Sequence, residues 1–124
     1  MSDGTNPLPG MRVDVVDEVT VLRVAGEIDM SNSDPLRESG VKILDGAPAA
    51  LVLDLVDVTF FASSGIAVLA HLRQHNADGP ACVVRLAASR QVRHALRVTA
   101  MDELFPIHDS VEDALTAARQ DTNR

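Results

Sequence analysis

The chain has 124 residues, enough for one domain with its own core but not for two. A surplus of acidic over basic residues leaves a net charge of −7, which argues against a dedicated nucleic-acid binder, because such a protein needs a basic face to displace counterions. The single cysteine, Cys82, excludes an internal disulfide and suits a reducing compartment. It lies in the apolar run Ala81-Cys82-Val83-Val84 and reads as an inert buried thiol. Residues 1–10 are rich in Gly, Pro and Asn and lack the apolar stretch of a signal peptide, so they are expected to be a flexible tail, as are 119–124. No run approaches the roughly 20 apolar residues of a membrane span. The expectation is a cytoplasmic protein, independent of membranes, with one domain over 11–118.

In chain order, Arg12–Val16 and Val19–Val24 are β-rich and flank Asp17-Glu18, which predicts a hairpin. Gly26-Glu27-Ile28-Asp29 reads as a polar turn. Asp34-Pro35 then reads as the N-cap and first residue of a helix, with Leu36, Gly40, Ile43 and Leu44 at helical spacing and Gly46-Ala47-Pro48 at its end. Ala50–Leu53 is continuously apolar, as in a central strand covered on both faces. A second helix carries Ile66, Leu69 and Leu72 on one stripe and is closed by Asn76 and Gly79-Pro80. Ala81–Leu86 is another apolar strand. Ser89 is placed to cap a helix bearing Val92, Ala95 and Leu96. Phe105–His108, with a Pro inside, fits a short edge strand. Ser110 opens a last helix with Val111, Ala114, Leu115 and Ala118 inward, and Asp113 stands where a capping box usually has Glu or Gln. The order ββαβαβαβα implies an α/β domain, a small sheet with helices packed on it.

The chemistry narrows quickly. Phe60-Phe61-Ala62-Ser63-Ser64-Gly65 puts two hydroxyls at a strand-to-helix junction. A hydrolytic nucleophile elbow needs glycine two residues before and two after the serine, and neither Ser63 nor Ser64 has both. His71 and His75 share a helical face, but Leu72 occupies the position of a zinc protease's glutamate, and two imidazoles make an incomplete metal site. Arg90, Arg93 and Arg97 form either a solvated face or a contact for an acidic partner or a phosphate. Glu27, Asp29 and Asp34 cluster near the first turn. Asp34 is explained as a cap, whereas Asp29 has no such local role in the sequence. The serines either cap the helix or accept a phosphate, which a helix N-terminus tolerates through its free N–H groups and positive dipole end. In the second case Phe60 and Phe61 anchor the turn, and Gly65 allows close approach of a partner or phosphate, or else packing on the sheet.

Three stretches together resemble the STAS domains of bacterial anti-sigma factor antagonists: Val24-Ala25-Gly26-Glu27-Ile28-Asp29; Leu51–Leu55 with Val58-Thr59-Phe60; and Ser63-Ser64-Gly65-Ile66 with Leu69. The resemblance spans about residues 11–118. It implies a mixed β-sheet flanked by about four helices, with no enzymatic activity and no cofactor. It implies as partners an anti-sigma factor that is also a serine kinase using ATP and Mg²⁺, and a PP2C-type phosphatase that resets the switch. It further implies that only the unphosphorylated form captures the anti-sigma factor and frees its sigma factor. Carried over by position, the phosphoacceptor is Ser63, with Ser64 the alternative. The partner-contact aspartate is Asp29, with Glu27, Ala62, Ser64 and Gly65 around it. The family often has Asp before the acceptor, and here that residue is Ala62. The other reading is a STAS interaction module, in a regulatory or stress-signalling complex, that works without phosphorylation.

Overall fold

A computed structural model of the chain describes residues 10–122. Five strands and four α-helices alternate: β1 (Gly10–Val16), β2 (Val19–Ile28), α1 (Ser33–Asp45), β3 (Ala50–Phe61), α2 (Ser63–Asp78), β4 (Val83–Ala88), α3 (Arg90–Val98), β5 (Ile107–His108) and α4 (Val111–Thr122), with a 3₁₀ turn at Met101–Glu103. The sheet order is β1-β2-β3-β4-β5. β1 and β2 are antiparallel, joined through Asp17 and Glu18, both in the left-handed region at φ 51° and 71°, as a two-residue hairpin requires. The remaining pairings are parallel, so the sheet is mixed.

The expected element order holds, but boundaries differ; the edge strand expected over Phe105–His108 is only Ile107–His108, because Phe105 turns into the core. The Gly26–Ile28 stretch expected as a turn is the end of β2, which stays paired with β3. Gly26 lies at φ 96°, in a bulge where the register shifts, and that is why it looks like a turn residue in sequence. α1 begins at Ser33 with Asn32 in the N-cap position, so Asp34 is not the cap. It lies in the first turn, exposed, with its Oδ1 3.5 Å from Arg37. Gly10 belongs to β1, and the rest of the expected N-terminal tail, 1–9, lies outside the described residues. At the other end, the tail expected over 119–124 is helical to Thr122. Asp121 is held by a bidentate pair with Arg85 on β4, at 2.8 and 3.1 Å. The strand expected at Ala81–Leu86 runs instead over Val83–Ala88.

The sheet has two unequal faces. Leu22, Val24, Leu51, Leu53, Leu55 and Leu86 point to one side, under Leu36 and Leu44 of α1, Val68, Leu69 and Leu72 of α2, and Val92 and Leu96 of α3. The alternate residues Val19, Val21, Ala50, Val52 and Ala87 point to the other side, under α4 alone, through Ala114, Leu115 and Ala118. This explains why β3 reads as continuously apolar, since each of its faces has a helix on it. Two expected caps form: Ser89 Oγ accepts the Val92 N–H at 3.3 Å, and Ser110 Oγ accepts the Asp113 N–H at 3.0 Å. Cys82 is half-buried. Burial raises its thiol pKa, and the Asn76 side chain brackets its backbone at 3.1 and 2.8 Å. Among the described residues, no helix is long and apolar enough to cross a membrane.

Candidate functional site

The site lies beyond the C-terminal ends of the parallel strands β2 and β3, where an α/β sheet leaves a crevice free of its own helices. Ile28 is in register with Phe61, and the Ala62 N–H donates to the Ile28 carbonyl at 3.0 Å. Two loops therefore leave the sheet side by side: Asp29–Asn32 into α1, and Ala62 directly into α2.

Ala62, half-buried and extended (φ −78°, ψ 175°), is the N-cap of α2 without a side-chain hydrogen bond. The serines therefore do not cap the helix. They occupy its first two positions, where backbone N–H groups have no acceptor within the helix. Helical phase separates them. Ser64 lies one turn before the buried Val68 and two before the buried Leu72, and its Oγ is itself buried without a hydrogen-bond partner. Ser63 lies in phase with the exposed Ala67 and Ala70 and is exposed. The stripe read from the sequence, Ile66, Leu69 and Leu72, did not contain this distinction; Val68 is buried as well and Ile66 only partly, which turns the inward face toward Ser64.

Gly65 is buried. A Cβ there would lie 2.8 Å from the Phe61 ring, so the glycine is required by packing of the helix start on the end of β3. Gly65→Ala should destabilise the domain. Forcing the ring aside costs about 1–3 kcal/mol, against at most about 1 kcal/mol gained from better helix propensity. Chemical denaturation checks this. An unchanged or raised midpoint would show that Phe61 moves freely. Phe61 is thus a buried anchor, but Phe60 is not, being 53% exposed.

The first loop is closed by its own side chains. Asp29 Oδ1 accepts the Ser31 N–H at 2.9 Å and the Ser31 hydroxyl, and the Asp29 N–H donates to Asn32 Oδ1 at 3.0 Å. Asn32 Nδ2 donates to the Glu27 carbonyl at 2.8 Å. Asp29 does have a local role, then, which the sequence reading missed. The pattern Asp-x-Ser-Asn is the signal of an Asx turn. The Ser31 hydroxyl, and after it the Ser31 N–H, hold the half-buried Asp29 carboxyl below the usual carboxylate range. Glu27 is exposed beside it. Met30, at the tip, is 84% exposed, and the sequence reading had passed it over.

The remaining candidates lie apart. His75 Nε2 is 2.7 Å from Asp45 Oδ1, and its ring stacks on His71. Among the described residues no three His, Cys, Asp or Glu side chains converge to hold a metal ion. On α3, Arg93 pairs with Asp109 at 2.6 Å, and Arg90 and Arg97 are exposed.

This arrangement offers an exposed hydroxyl at a helix N-terminus, an acidic self-closed loop beside it, and apolar Met30 and Phe60 at the same end of the sheet. That combination suits recognition rather than turnover. Comparison with known proteins agrees. The anti-sigma-F factor antagonist RsfB of Mycobacterium tuberculosis is 31% identical over 101 residues, covering 82% of each chain. The crystal structure of an anti-sigma factor antagonist from Mycobacterium paratuberculosis superposes with a TM-score of 0.80 at 31% identity, covering 93% of this chain and 98% of that one. The Bacillus cell fate determinant SpoIIAA in its phosphorylated form shares the fold, with a TM-score of 0.67 at 18% identity over 89% of this chain and 100% of that one. The STAS domain family model matches residues 11–114, and with a mixed five-stranded sheet and four helices behind that match the chain belongs to the STAS domain family.

Proposed function

We propose that this protein is an anti-sigma factor antagonist, a regulatory binding protein without catalysis of its own, whose capture of an anti-sigma factor is switched off by phosphorylation of Ser63. The observation that carries the reading is the division of labour between the two serines, Ser63 exposed at the first position of α2 and the Ser64 hydroxyl turned inward. The relatives named above as anti-sigma factor antagonists support the partner class. The anti-sigma factor acts as the serine kinase. Ser63 Oγ attacks the γ-phosphorus of ATP, the Oγ–P bond forms, the bond to the β-phosphate oxygen breaks, ADP leaves and the hydroxyl proton is released. A PP2C-type phosphatase hydrolyses the ester back to serine. The helix N-terminus accommodates the phosphate through its N–H groups and dipole, so the fold persists while the binding surface changes its charge. In this reading the switch operates in the cytoplasm, without membrane or nucleic acid as a direct partner. The test is a pull-down of native partners with wild type, Ser63→Ala and Ser63→Asp. Retention of the anti-sigma factor by the first two and its loss from the third supports the reading.

Asp29 presents the acidic loop to the partner. Asp29→Ala should weaken anti-sigma binding by about 2 kcal/mol, the scale of losing one side of a charge-assisted interface contact. The half-buried loop's own bonds contribute less to global stability, so the melting temperature should move by only a few degrees. A large drop in melting temperature with unchanged affinity, measured by calorimetry, would make Asp29 purely structural.

Ala62 favours a second reading, the constitutive interaction module, because it places no carboxylate beside the acceptor. Ala62→Asp should raise the rate of Ser63 phosphorylation by the cognate kinase. A native protein that carries no phosphate under any growth condition, by intact mass, decides for the constitutive module.

A further inference from the structure

We infer that the outer edge of β1 is a self-recognition surface, through which two copies of this chain pair antiparallel about Val13 to join their sheets. β1 ends the sheet, and among the described residues nothing pairs with its outer side. A two-residue hairpin closes on a hydrogen-bonded pair, here Val16 with Val19. By alternation Gly10, Arg12, Asp14 and Val16 direct their N–H and C=O groups to β2. Met11, Val13 and Val15 direct theirs outward. The strand is seven residues long and contains no proline, so it has few of the devices that normally blunt an edge.

The side chains specify the register. Arg12 and Asp14 share one face of the strand, and Met11, Val13 and Val15 share the other. Val13 and Val15 are 52% and 70% exposed. A two-fold axis through Val13 sets Val13 against its own copy and Met11 against the partner's Val15. It also sets Arg12 against the partner's Asp14. This is the one register that uses all three outward residues of each strand. Sliding it by two residues in one direction sets Arg12 against Arg12, and in the other Asp14 against Asp14. Like charges directly opposite are destabilising, so the sequence favours the full register and rejects its neighbours. Within one chain Arg12 Nε lies 3.1 Å from Asp14 Oδ2, but the Arg12 side chain is 71% exposed. That surface pair contributes little and can exchange for the intermolecular one, while Arg23 keeps its 2.8 Å bond to Asp14.

Sedimentation velocity of the full chain, over micromolar to millimolar concentration, tests the inference. Wild type should show a dimer fraction that rises with concentration. Val13→Pro removes an outward N–H without touching the β1–β2 ladder, and should remain folded by circular dichroism yet monomeric. Arg12→Asp sets acid against acid and should weaken self-association at least about tenfold. Mixing Arg12→Asp with Asp14→Arg makes every cross-strand charge pair complementary and should restore a dimer that neither variant forms alone. Should Asp14→Arg not fold, Val13→Pro and Arg12→Asp decide. Wild type that stays monomeric throughout, or a dimer untouched by Val13→Pro, overturns the proposal. Neither outcome bears on Ser63, whose partner binding is read separately.

Discussion

Ser63→Asp is expected to lower affinity for the anti-sigma factor by about 3 kcal/mol, roughly a hundredfold, while circular dichroism stays that of wild type. The size follows from where the charge is placed. Ser63 sits at the same end of the sheet as Met30 and Phe60, 84% and 53% exposed, so an interface formed there covers it with apolar surface. A neutral hydroxyl enters such an interface at small cost. A carboxylate or phosphate must be desolvated or paired, and leaving it unpaired costs several kcal/mol. Ser63→Ala should bind as tightly as unmodified wild type and should resist the kinase. Ser64→Ala should remain a full kinase substrate, because it deletes a hydroxyl that is buried and unpartnered. Removing an unsatisfied buried group also tends to stabilise. Equal partner affinity for Ser63→Ala and Ser63→Asp, or phosphopeptides that carry the modification only on Ser64, would refute the assignment.

The largest effect on folding is expected at Arg23. Its guanidinium bridges β1 and β3, donating to Asp14 Oδ2 at 2.8 Å and to Asp54 Oδ2 at 3.1 Å. The Asp54 side chain is only 8% exposed, and apart from Arg23 its carboxylate accepts the Val56 N–H at 3.1 Å. Arg23→Met strands that carboxylate. Breaking a buried pair from one side typically costs about 3–5 kcal/mol. The remaining N–H bond and the partial exposure of Arg23 favour the lower end, about 3 kcal/mol. In a domain of this size that lowers the melting temperature by about 10 °C. The double variant Arg23→Met/Asp54→Leu should recover most of the loss, since well-packed apolar pairs often replace buried ion pairs without penalty. The network also sets an acid limit. The hydrogen bond from Arg23 holds the Asp14 carboxyl below its ordinary range, against the opposing effect of desolvation and with help from Arg12. A depressed carboxylate stabilises the fold fully above its ordinary pKa, and that contribution fades as pH falls through the lowered value. Wild type should therefore lose more stability than Arg23→Met on going from neutral pH to pH about 3. If both melt in parallel across that range, the network contributes nothing to acid resistance.

Much of this was legible before any coordinates. The element order, the caps at Ser89 and Ser110 and the inward stripes of the helices follow from periodicity and local chemistry. Ser63-Ser64-Gly65 was legible as a strand-to-helix junction with two hydroxyls in the first turn of α2. What failed depended mostly on which neighbours arrive, although one miss, the turn that Asp29 closes on Ser31, was local. Gly26-Glu27 has turn composition, yet the strand continues because β3 lies alongside to pair with it. Asp34-Pro35 has the local form of a helix start, but Asn32 closes the preceding loop onto Glu27 and α1 begins earlier. The C-terminal residues have no apolar pattern beyond Ala118. They are tied to distant parts of the chain, Asp121 to Arg85 across 36 residues of sequence and Arg119 to Asp17 at 2.9 Å. The exposure of Met30 and Phe60 likewise depends on which neighbours arrive, and hydropathy alone assigns both to the core.

The unequal covering of the sheet sets the order in which the molecule comes apart. α4 seals its face with Ala114, Leu115 and Ala118, with Val111 at the rim, a smaller apolar area than the three helices bury on the other side. It is thus the natural unit of partial unfolding, released at lower free energy than the three-helix side. Its departure uncovers Val19, Val21 and Val52, β-branched side chains on adjacent strands, a surface of the kind that seeds aggregation. The Arg85–Asp121 pair ties the far end of α4 to β4 at 2.8 Å and so opposes that exposure.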